Sequence, residues 1–211
     1  MGFESLLGEI RRVMEDHEIR SIVRSRIKSF ESMLRKPDKE IFKEVAFCIL
    51  AANFSASRSM KIIEALGDRL LELDSEELAL ELKRLGHRYP RLRAKYIVKA
   101  RKRLREMVKS IQAADDEFQL RGWLVRNIKG LGFKEASHLL RNLGCKNLAI
   151  IDLHILRILR RYGLISELKS LTRRRYLEIE KLLRRMAKEL GITLAELDLY
   201  LWYMDSGKIL K

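Results

Sequence analysis

Helical periodicity, punctuated by single glycines and capping residues, runs almost the full length of the chain and leaves little room for any other regular structure. Apolar residues recur three and four apart in block after block: Phe3 to Val13, Ile19 to Leu34, Lys39 to Ala52 and Ser57 to Leu66. Asp74 with Glu77 forms a capping-box pattern and opens a block that ends at Gly86. One long basic helix is expected from Arg91 to about Lys109, and another from Glu117 to Asn127. Beyond a glycine-containing turn the pattern resumes to Leu143, then from Asp152 to Gly163, Thr172 to Leu190 and Thr193 to Ser206. Residues that favour strands are few, so a β-sandwich or barrel is excluded and the expected class is all-α. With 47% hydrophobic residues in 211, the chain buries a real core. There is no tandem repeat or long linker. Residues 1–211 are therefore read as a single unit, with room for two helical lobes and a cleft near the Gly130–Gly132 turn and Asp152.

Charge points to the partner. Lys and Arg number 44 against 29 Asp and Glu, a formal +15, and such a surplus draws polyanions from a distance. Nucleic acid leads; a thermophile surface rich in ion pairs is the blander reading, but such networks need both signs in balance. The longest apolar run, Val45 to Ala52, falls well short of the roughly 20 residues that span a bilayer. The start, MGFESLLGEIRR, has no signal-peptide core. No membrane partner is expected, and the location is read as cytoplasmic, at the nucleoid. Two cysteines, Cys48 and Cys145, cannot hold a four-cysteine zinc site or an iron–sulfur cluster. No metal site and no catalytic cofactor are expected.

The chemistry concentrates between two helical blocks, over about 117–143, where Ile128-Lys129-Gly130-Leu131-Gly132-Phe133 forms a helix–hairpin–helix pattern. Two glycines two apart suit a tight turn with positive φ. Backbone N–H groups there, at the start of a helix, can bind a phosphate. Ile128, Leu131 and Phe133 tie the turn to its flanking helices. Lys134 follows at the head of the next helix, where the helix dipole disfavours an ammonium, and only a neutral amine is a nucleophile. On its own it is as readily a phosphate contact or a surface charge. Asp152, eighteen residues on, closes an apolar run and opens a helix. That is the position of a plain N-cap, and equally of a carboxylate able to stabilise a sugar cation as a base departs. One helix out and a return would let Lys134 and Asp152 face a common cleft. His138, one turn beyond Lys134, shares its helix face and lines the pocket or packs between helices. Tyr89, in the His87–Pro90 loop, wedges into the gap left by an extruded base, reads the opposite strand, or packs. Arg88, Arg91, Arg93 and Lys95 make that stretch basic, some holding phosphate and most solvated.

Gly130-Leu131-Gly132-Phe133-Lys134 with Ile151-Asp152-Leu153-His154 resembles the helix–hairpin–helix–GPD superfamily of DNA glycosylases. The wider pattern covers nearly the whole chain: Ala52-Asn53-Phe54, Leu85-Gly86-His87-Arg88, VRNIKGLGFKEASHLLRN, AIIDLHILR and the ending LDLYLWYMDSGKILK. It is similar to the type-2 8-oxoguanine DNA glycosylases/AP lyases of archaea and some thermophilic bacteria. The four-cysteine cluster of the endonuclease III branch is absent. The resemblance implies two helical lobes flanking an active-site cleft and action on double-stranded DNA that contains 8-oxoguanine, for which a monomer suffices. It implies Lys134 as the nucleophile at C1′, with strand cleavage by β-elimination through a Schiff base, and Asp152 assisting base loss. The target must be flipped out to be reached. Trp202 resembles the aromatic platform for the flipped base, Lys211 the terminal residue that recognises the lesion, and His154 a phosphate contact. Gly130 and Gly132 contact the DNA backbone, and their carbonyls can hold a structural monovalent cation. A glycosylase of the same fold for another damaged or mispaired base, and a non-catalytic DNA-binding scaffold, are the alternatives; a scaffold needs neither Lys134 nor Asp152.

Overall fold

A computed structural model describes residues 2–168 and 170–209. Among the described residues it contains twelve α-helices and no strand: α1 (Phe3–Glu15), α2 (His17–Met33), α3 (Asp38–Ala51), α4 (Ala56–Leu66), α5 (Ser75–Arg84), α6 (Pro90–Lys102), α7 (Leu104–Gln112), α8 (Glu117–Asn127), α9 (Phe133–Asn142), α10 (Leu153–Arg161), α11 (Arg173–Leu190) and α12 (Leu194–Ser206). No helix among these residues is long and apolar enough to cross a membrane. The helices form two compact units. One is contiguous, Ser32–Leu143; the other joins the segment up to Glu31 with the segment from Gly144 onward.

The contiguous unit is built around α3. Ile41, Phe42 and every residue from Glu44 to Ala51 are buried, so the helix is enclosed on nearly all sides. It packs against α4, α6, α7 and α9, while α5 and α6 form an antiparallel pair through the short 85–89 connection. The core includes Phe42, Phe47, Ile49, Leu50, Leu78, Leu82 and Ile97. Inside it sits a polar knot. Asn142 Nδ2 donates to Glu44 Oε2 at 3.0 Å, and Asn142 Oδ1 accepts from Arg141 Nε at 3.2 Å and Nη2 at 2.9 Å. This fastens the C-terminal end of α9 to α3.

The long basic helix expected from Arg91 to Lys109 is two helices, broken at Arg103 (φ −106°, ψ 8°). No glycine or proline marks the break. Arg103 is held by one partner distant in sequence and one nearby: its Nη1 donates to Asn127 O at 2.8 Å and Oδ1 at 3.1 Å, while Nη2 pairs with Glu106, three residues on, at 2.7 Å.

In the other unit α12 packs on α1, α10 and α11. Leu6, Leu7 and Ile10 of α1, and Ile155, Ile158 and Leu159 of α10, are buried. Leu148 to Ile151 run through this core without regular structure, and side chains of α11 satisfy their backbone. Ala149 N–H donates to Glu180 Oε1 at 3.0 Å, Tyr176 Oη donates to Ala149 O at 2.6 Å, and Ile151 N–H lies 3.4 Å from the same Oη.

The polar knot has a measurable worth. Asn142→Ala strips the buried Glu44 and Arg141 of a shared partner. The expected loss is about 1–3 kcal/mol of unfolding free energy, read by denaturant or thermal unfolding.

Candidate active site

Helix α8 ends at Asn127, and after five intervening residues α9 begins at Phe133. The turn is closed by Leu131 N–H donating to Ile128 O at 3.2 Å, with both side chains buried. Phe133 is tied in differently, by the Arg121 guanidinium 4.9 Å from its ring centroid. The two glycines do different jobs. Gly130 has φ +97°, and a Cβ there would lie 2.8 Å from Tyr96 Cδ2, so both conformation and space demand glycine. Gly132 does not take the expected positive φ. It is the extended N-cap of α9 (φ −87°, ψ −171°), and its bare Cα matters for space alone: a Cβ would sit 3.0 Å from Glu135 Oε2. Gly132 N–H donates to that same Oε2 at 3.2 Å.

Lys134 is the second residue of α9, with its side chain 26% exposed. Its Nζ lies 3.4 Å from Glu135 Oε1. His138, one turn on, meets the ring of Phe47 edge-on at 5.4 Å between centroids.

The basic loop before α6 is anchored from inside. His87 is buried; its Nε2 bonds Leu50 O at 3.0 Å and its Nδ1 accepts from Tyr89 N–H at 3.1 Å. A carbonyl only accepts, so Nε2 carries the proton and the ring is neutral. The Phe54 ring lies against this ring at 4.3 Å between centroids, tilted by 42°. Arg93, expected with its neighbours on a largely solvated face, is only 6% exposed and donates to Ala52 O. Burial pushes its pKa down. Arg88 and Arg93 lie 5.0 Å and 5.9 Å from the Tyr89 ring centroid, and Arg88 is exposed. The motifs around Ala52-Asn53-Phe54 and Leu85-Gly86-His87-Arg88 thus meet through His87, Phe54 and Arg93. Asn53 is exposed there with φ +56°.

In the other unit Asp152 is the N-cap of α10. Its Oδ1 accepts from His154 N–H at 2.9 Å and Ile155 N–H at 3.0 Å, which leaves Oδ2 outside the cap. His154 Nδ1 lies 2.7 Å from Asp205 Oδ2, and its ring is 4.9 Å from that of Trp202. A carboxylate that accepts from Nδ1–H leaves Nε2 turned away from it. The Asp205 side chain is 1% exposed and also pairs with Arg157 and, at 3.6 Å, Arg161. Lys211 lies outside the described residues.

The hairpin, Lys134, Tyr89, Arg88 and His138 therefore belong to the contiguous unit; Asp152, His154 and Trp202 belong to the other. Sequence reasoning missed Glu135, Arg93 as a buried brace, and Asp205. Glu135 had a signal, an acid three residues after an N-cap. Asp205 had none, because its partners lie 44 to 51 positions away on another helix.

Two tests follow from this geometry. Gly130→Ala sets a methyl against Tyr96 at an unfavourable φ; the expected cost is about 1–3 kcal/mol in thermal unfolding, with weaker binding of duplex DNA. His87 gives a pH signature. Burial, and secondarily the Arg93 charge, push its pKa below the ordinary 6.5, against the opposing pull of Leu50 O. The unfolded chain then binds the proton more readily. The stability is present above about pH 6.5 and drains away as pH falls below it. Melting temperature should drop between pH 7 and 5, and drop less in His87→Gln.

A family model described as 8-oxoguanine DNA glycosylase matches residues 23–192. A Korarchaeum cryptofilum protein named 8-oxoguanine DNA glycosylase/AP lyase is 50% identical over 212 residues, covering 100% of both chains. One of the same name from Methanocaldococcus jannaschii is 49% identical, covering 94% of this chain and 96% of its own. The crystal structure of the M. jannaschii 8-oxoguanine glycosylase/lyase in complex with a 15mer DNA containing 8-oxoguanine aligns with TM-score 0.94 and 47% identity, over 98% of this chain and 100% of that one. The Thermotoga maritima 8-oxoguanine DNA glycosylase aligns with TM-score 0.91 and 42% identity, over 99% of each. The all-helical class expected from the sequence is the fold of these enzymes, and the chain belongs to the 8-oxoguanine DNA glycosylase family.

Proposed function

We propose that this chain removes 8-oxoguanine from duplex DNA and then cuts the strand, with Lys134 as the nucleophile and Asp152 as the electrostatic partner of base loss. The observation that carries it is a lysine at the head of the helix leaving a glycine hairpin, in a chain alike from end to end to proteins named glycosylase/AP lyase. A scaffold that only grips DNA would have no use for that amine.

Lys134 Nζ forms its bond to C1′ as the bond from C1′ to the base breaks, and the base leaves with the electron pair. The sugar ring opens as O4′ leaves C1′ and takes up the proton shed by the amine, which gives the Schiff base; loss of a C2′ proton then expels the 3′ phosphate by β-elimination. The carboxylate of Asp152 stabilises the cationic sugar; the cap fixes its orientation through Oδ1, and Oδ2 remains for the charge.

The other residues serve access and recognition. The base must leave the stack, and Tyr89, braced by two guanidinium groups, is shaped to fill the gap. Trp202 offers a stacking face, worth about 1–3 kcal/mol per base. His138 lines the pocket for the base. His154, its Nδ1 held by Asp205, presents Nε2 to a phosphate. Arg88 and the N–H groups of Gly130 and Gly132 grip the backbone. A structural monovalent cation fits the hairpin's neutral carbonyls: those of Ile128 and Gly132 each accept one hydrogen bond and keep a second lone pair. Such an ion would brace the turn and make no bond to substrate. A monomer at the nucleoid suffices for this chemistry.

Borohydride trapping on duplexes with 8-oxoguanine, an oxidised pyrimidine or a mismatch tests the reading. Wild type should form a covalent adduct that requires 8-oxoguanine. Lys134→Gln should form none while still binding the duplex, and Asp152→Asn should lose about 10²–10³-fold in base release. Equal trapping on every lesion would reassign the substrate, and full activity in both variants would overturn the mechanism.

A further inference from the structure

The sequence pattern puts a DNA phosphate on the hairpin's N–H groups; the structure puts a carboxylate on one of them. Glu135 spans two groups at once: Oε2 accepts from Gly132 N–H at 3.2 Å, and Oε1 sits 3.4 Å from Lys134 Nζ. Its side chain is 16% exposed, so solvent, and an anion arriving from solvent, can reach it. Gly132 adds an independent observation. Its φ of −87° is open to any residue, so its conformation does not call for glycine. A Cβ there would lie 3.0 Å from Oε2, so a side chain at this position would crowd the carboxylate. The Arg93 guanidinium also acts on Glu135 through its charge, which adds to the positive field that holds an anion here.

We infer that Glu135 keeps the place of a DNA backbone phosphate at the hairpin, and that its displacement by DNA releases the Lys134 amine. The inference rests on the roles given above to the hairpin and Lys134. One N–H has one proton to donate, so a phosphate oxygen that takes Gly132 N–H must evict Oε2. Two anions at one helix N-terminus also repel each other. Both oxygens belong to one carboxylate, so a swing of the side chain that carries Oε2 off Gly132 N–H takes Oε1 away from Nζ with it. The amine that forms Schiff bases is then paired with a carboxylate in the free protein and unpaired where the backbone is seated. Free aldehydes meet a guarded lysine; a damaged duplex meets an exposed one.

Glu135→Gln tests this with the full chain, because the amide oxygen still accepts from Gly132 N–H while the competing charge is gone. The variant should bind an undamaged duplex about two- to fivefold tighter at low salt, the scale of a charge at a helix terminus. Without DNA, glyceraldehyde and cyanoborohydride should label Lys134 faster in the variant than in wild type, as read by peptide mass spectrometry. Equal or weaker duplex binding together with equal labelling would reduce Glu135 to a helix cap and overturn the inference. If the variant does not fold, the wild type decides: an undamaged duplex should shift the Glu135 carboxyl carbon resonance, and an unmoved resonance overturns the inference. Failure of wild type to bind duplex DNA at all would instead sink the functional reading beneath it.

Discussion

An aromatic ring resting on a backbone with no side chain sets the geometry of the contiguous unit. Tyr96 lies so close to Gly130 that no other residue fits, and the hairpin is held against α6 at that point. A second hold comes from Arg103, beyond the C-terminal end of α6, which grips Asn127 where α8 runs into the turn. Arg93, on the same helix, reaches the Ala52 carbonyl, and Tyr89 caps its start. One rod thus supports both the loop with Tyr89 and the turn that leads to Lys134. A turn braced this way meets its ligand already shaped, which lowers the entropy lost on binding.

The other unit achieves placement by a different route. Asp152 follows four buried residues with no regular structure, a costly arrangement unless their polar groups find partners. Glu180 and Tyr176 provide them, so α11 positions the acid that opens α10. At the far end Asp205 gathers His154, Arg157 and Arg161 about one buried carboxylate. It fixes the histidine ring, and through ring contact the histidine steadies Trp202.

The elements were legible where local chemistry marks them. The capping box at Asp74 and Glu77, the cap at Asp152 and the helix from the Thr172 cap to Leu190 all appear as the pattern of residues suggested. The hairpin was legible from spacing and from family likeness, and so were the places of Lys134 at the head of α9 and Asp152 at the start of α10. What escaped depends on partners distant in sequence. Arg103, where the helix breaks, binds Asn127 24 positions away, buried Arg93 reaches a carbonyl 41 positions away, and a Cβ on Gly132, whose dihedrals suit any residue, would crowd the Glu135 carboxylate. Periodicity carries none of these, because it records which face is apolar and is silent on what a polar side chain meets across the core.

The chain enters and leaves the Ser32–Leu143 unit once each, at crossings that lie side by side: a Cβ on Gly144 would come within 3.2 Å of Glu31 Cα. The consequence concerns biosynthesis. A contiguous segment can collapse as soon as it clears the ribosome, whereas α1 and α2 await α10 to α12, translated last. Nascent chains released between Leu143 and Asp152 would carry the hairpin without Asp152, and Leu6, Leu7 and Ile10 would remain without their native cover until translation is nearly done.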